Sequence, residues 1–124
     1  MDRIAERKGR GAILQLTKRR LVEIGYSATS PSRFTRTDNN STYVIELQKK
    51  RSGPQFRVWC KRGMPNDEKL KLGPHSDPFE TPNSPNGRKY NLGYHLSPDT
   101  YKRCSDEICA FVEEVAEPWF RSWK

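Results

Sequence analysis

The sequence has few of the side chains on which metal binding, redox chemistry or membrane insertion depends. It holds 3 cysteines and 2 histidines among 124 residues. An odd cysteine count without framework spacing is not that of a secreted disulfide scaffold. No apolar run approaches the roughly 20 residues that span a bilayer, and residues 1–8 lack the apolar stretch of a signal peptide. We therefore expect a cytoplasmic protein without a membrane partner.

The histidines and acidic residues form no recognisable catalytic motif. His75 lies beside Asp77, like a base beside the group that orients it, but a metal site needs three or four ligands. Gly9-Arg10-Gly11 lacks the preceding strand and third glycine of a phosphate-binding loop. The sequence therefore predicts no catalytic residue, no metal and no cofactor. A small hydrolase that uses His75 and His95 is the least favoured hypothesis.

The cysteines are expected to be packing residues. Cys104 and Cys109 are five apart on a predicted helix and project about 140° apart, so they share neither an ion nor a disulfide. Cys60 and Cys104 fall on apolar stripes, where a thiol acts as a small hydrophobic group. Cys109 falls off its stripe and is expected to be exposed.

Positive charge is concentrated in the first half of the chain. The formal net charge is +8, with +10 in residues 1–62 and −2 in residues 63–124. A polarised surface of this kind attracts anionic partners, whether nucleic acid, an acidic protein or a membrane surface. The alternative is that the charge serves solubility and the packing of one half on the other.

Two segments have helical periodicity. The first runs from about residue 12 to 24, ends at Gly25, and follows an interruption at Gly9-Arg10-Gly11, so residues 1–11 are expected to be flexible. The second begins at Ser97-Pro98 and ends or kinks near Glu117, because Pro118 cannot continue the hydrogen-bond ladder. The aromatic tail from Trp119 is expected to fold back onto the core. The apolar stripe of the second helix comprises Tyr101, Cys104, Ile108, Phe111 and Val115.

Three strands are predicted between the helices, at residues 33–36, 42–50 and 55–62. The last two alternate around the turn Arg51-Ser52-Gly53-Pro54, which predicts an antiparallel hairpin. One face of this hairpin is apolar, with Tyr43, Ile45, Leu47, Phe56, Val58 and Cys60.

Residues 63–90 form a long loop that contains five of the nine prolines. An edge strand near Leu70 is expected within this loop, and a short strand over residues 90–96 is expected to follow it. Residues 74–87 are expected to be the most mobile internal segment. The order of elements predicts a single α+β domain over residues 1–124. Its antiparallel sheet of three to five strands carries the N-terminal and C-terminal helices on one face.

The polar face of the sheet is the predicted binding site. Basic side chains around one tryptophan suit a phosphate backbone with a stacked base. They equally suit an acidic protein surface with a tryptophan hot spot. The alternative is that a helix covers this face, or that the tryptophan belongs to the core. The predicted binding residues are Arg33, Arg57, Trp59 and Lys61 on the face, with Lys49, Lys50 and Arg51 at the hairpin tip.

Several short motifs resemble the bacterial family called domain of unknown function 4304. They are a helix that ends at Gly25-Tyr26, the strand Arg33-Phe34-Thr35-Arg36, a strand that ends at Gln48-Lys49-Lys50, its partner Phe56-Arg57-Val58-Trp59, and the closing Pro118-Trp119-Phe120. The resemblance implies the same fold and transfers no catalytic residue, because the family has no agreed function.

We therefore expect a non-enzymatic binding module that engages another protein with an acidic surface, as small bacterial immunity or inhibitor proteins do. The runner-up is a basic accessory protein that binds nucleic acid.

Overall fold

The computed structural model describes residues 3–38, 41–51, 53–64, 69–76, 90–95 and 97–122. Five strands lie between two helical regions, of which the second contains a π-helical turn. In chain order the elements are α1 (Arg3–Glu23), β1 (Ser27–Ser30), β2 (Arg33–Asp38), β3 (Ser41–Lys49), β4 (Phe56–Gly63), β5 (Lys71–His75), α2 (Pro98–Phe111), the π turn (Val112–Ala116) and α3 (Glu117–Arg121).

The strands form one antiparallel sheet in the order β1-β2-β3-β4-β5. Strand β3 pairs with β4 so that Ile45 lies opposite Cys60 and Leu47 opposite Val58. The predicted hairpin is thus confirmed within one residue at each end. The α+β fold is confirmed as well, whereas the short exposed strand β1 was not predicted.

Both long helices pack on the apolar face of the sheet. Ile13 and Leu21 of α1, and Ile108 and Phe111 of α2, are buried in one cluster with the apolar face of β2, β3 and β4. Thr17 also lies in the helix–helix interface, where its hydroxyl donates a 3.1 Å hydrogen bond to Ser105. This bond satisfies a polar pair that burial would otherwise penalise.

Helix α1 begins nine residues earlier than predicted, so Gly9-Arg10-Gly11 does not interrupt it and residues 3–11 are helical. Gly9 is buried against α2, and a Cβ atom there would lie 2.8 Å from Cε1 of Tyr101. The glycine therefore lets the two helices approach closely. This packing outweighs the roughly 1 kcal/mol that glycine costs inside a helix.

Pro118 does not end the second helical region. The chain passes through the π turn, where the N–H of Glu117 donates to the carbonyl of Val112, and continues as α3. The wider π turn places Pro118 in the first turn of a new helical segment, where its missing N–H is tolerated. The aromatic tail folds back as expected, since Phe120 is buried and stacks on Tyr43 at 4.6 Å between ring centroids.

The expected edge strand near Leu70 is β5, but no strand forms over the described residues 90–95. Those residues make a single bridge, between Gln55 and Gly93. The segment still packs beside the hairpin, because the N–H of Phe56 donates to Leu92 and the N–H of Tyr94 donates to Pro54. Of the stretch predicted to be mobile, residues 74–76 are described and residues 77–87 lie outside the described residues.

Replacement of Phe111 by alanine should destabilise the protein by about 3–5 kcal/mol, the transfer and cavity cost of a buried phenylalanine. Phe111 is fully buried and packs edge-on against Tyr90. Urea unfolding followed by circular dichroism measures the change. Lys102→Ala, on the exposed side of α2, is the control and should shift stability by less than about 0.5 kcal/mol. Equal midpoints for the two variants would contradict the core assignment.

Candidate binding surface on the outer sheet face

The sheet has a second face, opposite the helices, which we call the outer face. Side chains alternate along each strand, so the register that buries the apolar set places a polar set here. An open groove of about 580 Å³ runs across this face. Its lining residues are Ser30, Ser32, Arg33, Glu46, Leu47, Gln48, Arg57, Trp59, Lys61 and Leu72.

Glu46 is the charge centre of the outer face. One carboxylate oxygen lies 3.1 Å from the Arg33 guanidinium and the other lies 2.9 Å from Nζ of Lys61. Arg33 and Glu46 are directly opposite on β2 and β3, and Lys61 is one diagonal step away on β4. Two of the predicted anion-binding cations are thus already paired with a carboxylate.

Trp59 lies in the middle of the groove and is half-buried, so it is not a core residue. Its indole N–H donates a 3.1 Å hydrogen bond to Oε1 of Gln48. The Arg57 guanidinium carbon lies 5.5 Å from the ring centroid, within cation–π range, and the His75 ring centroid lies at 4.6 Å. These contacts hold the indole in one orientation before any partner binds.

The structure brings together four of the seven predicted binding residues, Arg33, Arg57, Trp59 and Lys61, in this groove. Lys50 and Arg51 lie at the hairpin tip and border a smaller recess of about 340 Å³ that also touches Arg57.

Lys49 lines the same recess as Lys50 and Arg51, but its side chain points away from the outer face. Its Nζ lies 2.8 Å from a carboxylate oxygen of Glu6 on α1. Lys49 is two residues from Leu47, and side chains two apart on a strand share a face. Lys49 therefore turns toward the helices.

The two histidines have different surroundings. His75 is 9% exposed at the end of β5, beside Trp59, and is not a solvated loop residue. His95 is exposed, and its backbone N–H donates to the hydroxyl of Thr100. Asp77 lies outside the described residues. Within the described ranges, no three histidine, cysteine, aspartate or glutamate side chains lie close enough to hold a metal ion.

An ionic and aromatic cluster on the helix side was missed by the sequence analysis. The Arg36 guanidinium lies 2.8 Å from Glu117 and about 5 Å from the ring centroids of Tyr26 and Tyr43. The Tyr26 hydroxyl donates a 2.7 Å hydrogen bond to Glu117. Burial and this bond raise the pKa of Tyr26 well above its ordinary value. The cluster is partly buried and joins β2 to the start of α3, as a structural contact does.

All three cysteines are buried and reduced. Cys60 and Cys104 lie in the core as predicted, but Cys109, predicted to be exposed, is 2% exposed. Burial raises the pKa of Cys60 and of Cys104 to about 12, and that of Cys109 to about 11. Since the thiolate is the nucleophile, none of these thiols is activated.

No protein-family model, no curated protein and no solved structure matches the chain. The resemblance to domain of unknown function 4304 therefore stays a prediction, and the function is argued from geometry. No helix in the described part of the chain is both long and apolar enough to cross a membrane.

Native thiols should resist alkylation. With iodoacetamide at pH 8.5, mass spectrometry should find no modified cysteine in the folded protein, and three in urea. Raised thiol pKa values also predict that stability is full below the ordinary thiol pKa of 9.0 and falls as the pH rises toward about 12. Rapid labelling of Cys109 alone in the folded state would show that it is exposed.

Proposed function

We propose that this chain is a non-enzymatic binding module that engages another protein with an acidic surface, in the manner of small immunity or inhibitor proteins. The observation that carries the proposal is a half-buried tryptophan, fixed by Gln48 and bordered by Arg57, in the middle of the outer-face groove. Tryptophan and arginine in a well-packed depression are the residue types that dominate protein–protein binding energy.

The rigidity of the groove supports this function. A side chain that is already held loses little conformational freedom when a partner covers it, and such ordering otherwise costs about 0.5–1.5 kcal/mol for each flexible side chain. Trp59 is held by Gln48, while Glu46 holds Arg33 and Lys61. The five-stranded sheet beneath them fixes their spacing.

The charge pattern favours a protein over nucleic acid at this face. A phosphate that approached Arg33 or Lys61 would meet the Glu46 carboxylate that pairs with both. The indole ring also has His75 and Arg57 against it, which leaves less of the ring open for a stacked base. A protein surface with interspersed acceptors and carboxylates fits alternating positive and negative groups.

Nucleic-acid binding at the hairpin tip is the second candidate. Lys50, Arg51 and Arg57 border one recess there. The three side chains place positive charge around this recess, at the end of the hairpin.

Affinity capture with the immobilised wild-type protein, repeated with and without nuclease, separates the two candidates. A captured protein is then purified and its binding kinetics measured. Trp59→Ala should speed dissociation and weaken binding by roughly 2 kcal/mol or more. Arg57→Gln with Lys61→Gln should mainly slow association, because peripheral charges steer the encounter.

Lys102→Ala, on the exposed side of α2, is the control and should bind like the wild type. Each variant is first checked for an unchanged unfolding midpoint. If capture disappears after nuclease treatment, or if Trp59→Ala binds every captured protein as tightly as the wild type does, the proposed function is wrong.

A further inference from the structure

Helix α1 carries a strongly basic face that the protein-binding proposal does not use. Its inner face is buried at Gly9, Ile13, Thr17 and Leu21, each four residues from the next. Away from this stripe four cations are exposed: Arg7, Lys8, Lys18 and Arg19. We call this side of the helix, with the two exposed residues between the cations, Gly11 and Gln15, the outward face of α1. Arg7 lies at the edge of the stripe, on a recess that Glu6 and Lys49 also line.

The four cations differ from their neighbours on α1 in their ion pairing among the described residues. Within the described ranges no carboxylate forms a salt bridge with any of them. Neighbouring cations do have partners: Arg20 pairs with Asp106 at 2.6 Å, and Lys49 pairs with Glu6 at 2.8 Å. The outward face therefore directs a positive field into solvent.

Gly11 is a second, independent observation. Gly9 is explained by the close approach of Tyr101, but a Cβ atom at Gly11 would have no atom within 4 Å. Glycine destabilises a helix interior relative to alanine, and nothing inside the described protein requires it at this position. A glycine in the middle of an exposed face does allow another molecule to approach the helix backbone closely.

The distance between the cations indicates how far apart the negative groups of a ligand should be. Eleven residues separate Arg7 from Lys18 and Lys8 from Arg19, which is close to three full turns and about 16 Å along the axis. The pairs at the two ends therefore point the same way, with Gly11 and Gln15 between them. The major groove of B-form DNA is about 12 Å wide and admits a helix. Flexible lysine and arginine side chains can reach the phosphates on both sides of such a groove.

We propose that the outward face of α1 binds the phosphate backbone of double-stranded DNA across the major groove. The end pairs contact phosphates on the two strands, and Gly11 lets the helix enter between them. Most of the binding free energy should not depend on the DNA sequence, because phosphate contacts do not distinguish one base from another. The exposed apolar residues of α1 on this side, Ile4 and Val22, lie near its two ends, and a lipid-binding helix needs a continuous apolar face instead.

This inference does not depend on the outer sheet face, since the two surfaces share no residue. A protein partner could occupy the groove around Trp59 while α1 lies on DNA. Loss of one activity by mutation should leave the other unchanged.

The test is a salt titration of binding to a fluorescent 20-base-pair duplex, followed by anisotropy. Four phosphate contacts predict that log affinity falls against log salt with a slope of roughly −3.6, since each contact adds about −0.9. Arg7→Gln with Lys8→Gln, and Lys18→Gln with Arg19→Gln, should each reduce the slope by about 1.8. Glutamine is a good helix former, so these exposed changes should leave the circular dichroism spectrum unchanged.

The matched control is Lys69→Gln with Lys102→Gln, which removes the same charge from two exposed positions away from α1 and the hairpin tip and should leave the slope nearly unchanged. Gly11→Leu tests the close approach: leucine favours the helix, so the unfolding midpoint should hold or rise while affinity for the duplex falls at least several-fold.

Four outcomes would overturn the proposal. The first is a dissociation constant weaker than about 100 μM near physiological salt, which is the weak limit of non-specific attraction. The second is an equal loss of slope in the Lys69 and Lys102 control, and the third is unchanged affinity in Gly11→Leu. The fourth is tighter binding to single strands or to anionic phosphatidylserine vesicles than to the duplex.

Discussion

The pairing of β3 with β4 is the constraint on which the rest of the structure depends. The register sets Ile45 against Cys60 and Leu47 against Val58 on one face. By alternation it sets Glu46 against Trp59 on the other. A slip of one residue would exchange the two faces, exposing the apolar set and burying a carboxylate and two cations. The core and the outer-face groove are therefore fixed by the same hydrogen-bond ladder, and neither can change register alone.

Contacts between residues far apart in the sequence then fix the positions of the helices, near both ends of the chain. At one end Gly9 admits Tyr101, so α1 lies against α2. At the other end Arg36 links β2 to Glu117, just after the π turn. A buried ion pair adds little to stability, but the removal of one of its two partners is costly because the other charge is left uncompensated. The Arg36 cluster therefore serves mainly to fix the position of α3, whose Phe120 stacks on Tyr43.

Patterns that are local in sequence were predictable, and contacts between distant residues were not. Period-two alternation gave the hairpin and both of its faces, including the clustering of Arg33, Arg57, Trp59 and Lys61. The early start of α1 was missed because the helix propensity of glycine was overridden by packing against a residue 92 positions away. The link between Arg36 and Glu117 spans 81 positions and has no sequence signal. The burial of Cys109 was not predicted, because the sequence of α2 alone does not show which other element packs against that side of the helix.

Net charge alone is a poor guide to what a basic protein binds, and the two surfaces of this chain show why. Arg33 and Lys61 count toward the +10 of the first half, yet Glu46 neutralises much of their field. Such a surface discriminates partners by shape and by the position of each charge. The cations of α1 have no such carboxylate among the described residues, so their field extends into solvent and attracts any dense polyanion. The pairing of the cations, rather than their number, is the reason why we propose a protein partner for the sheet face and a phosphate backbone for the helix face.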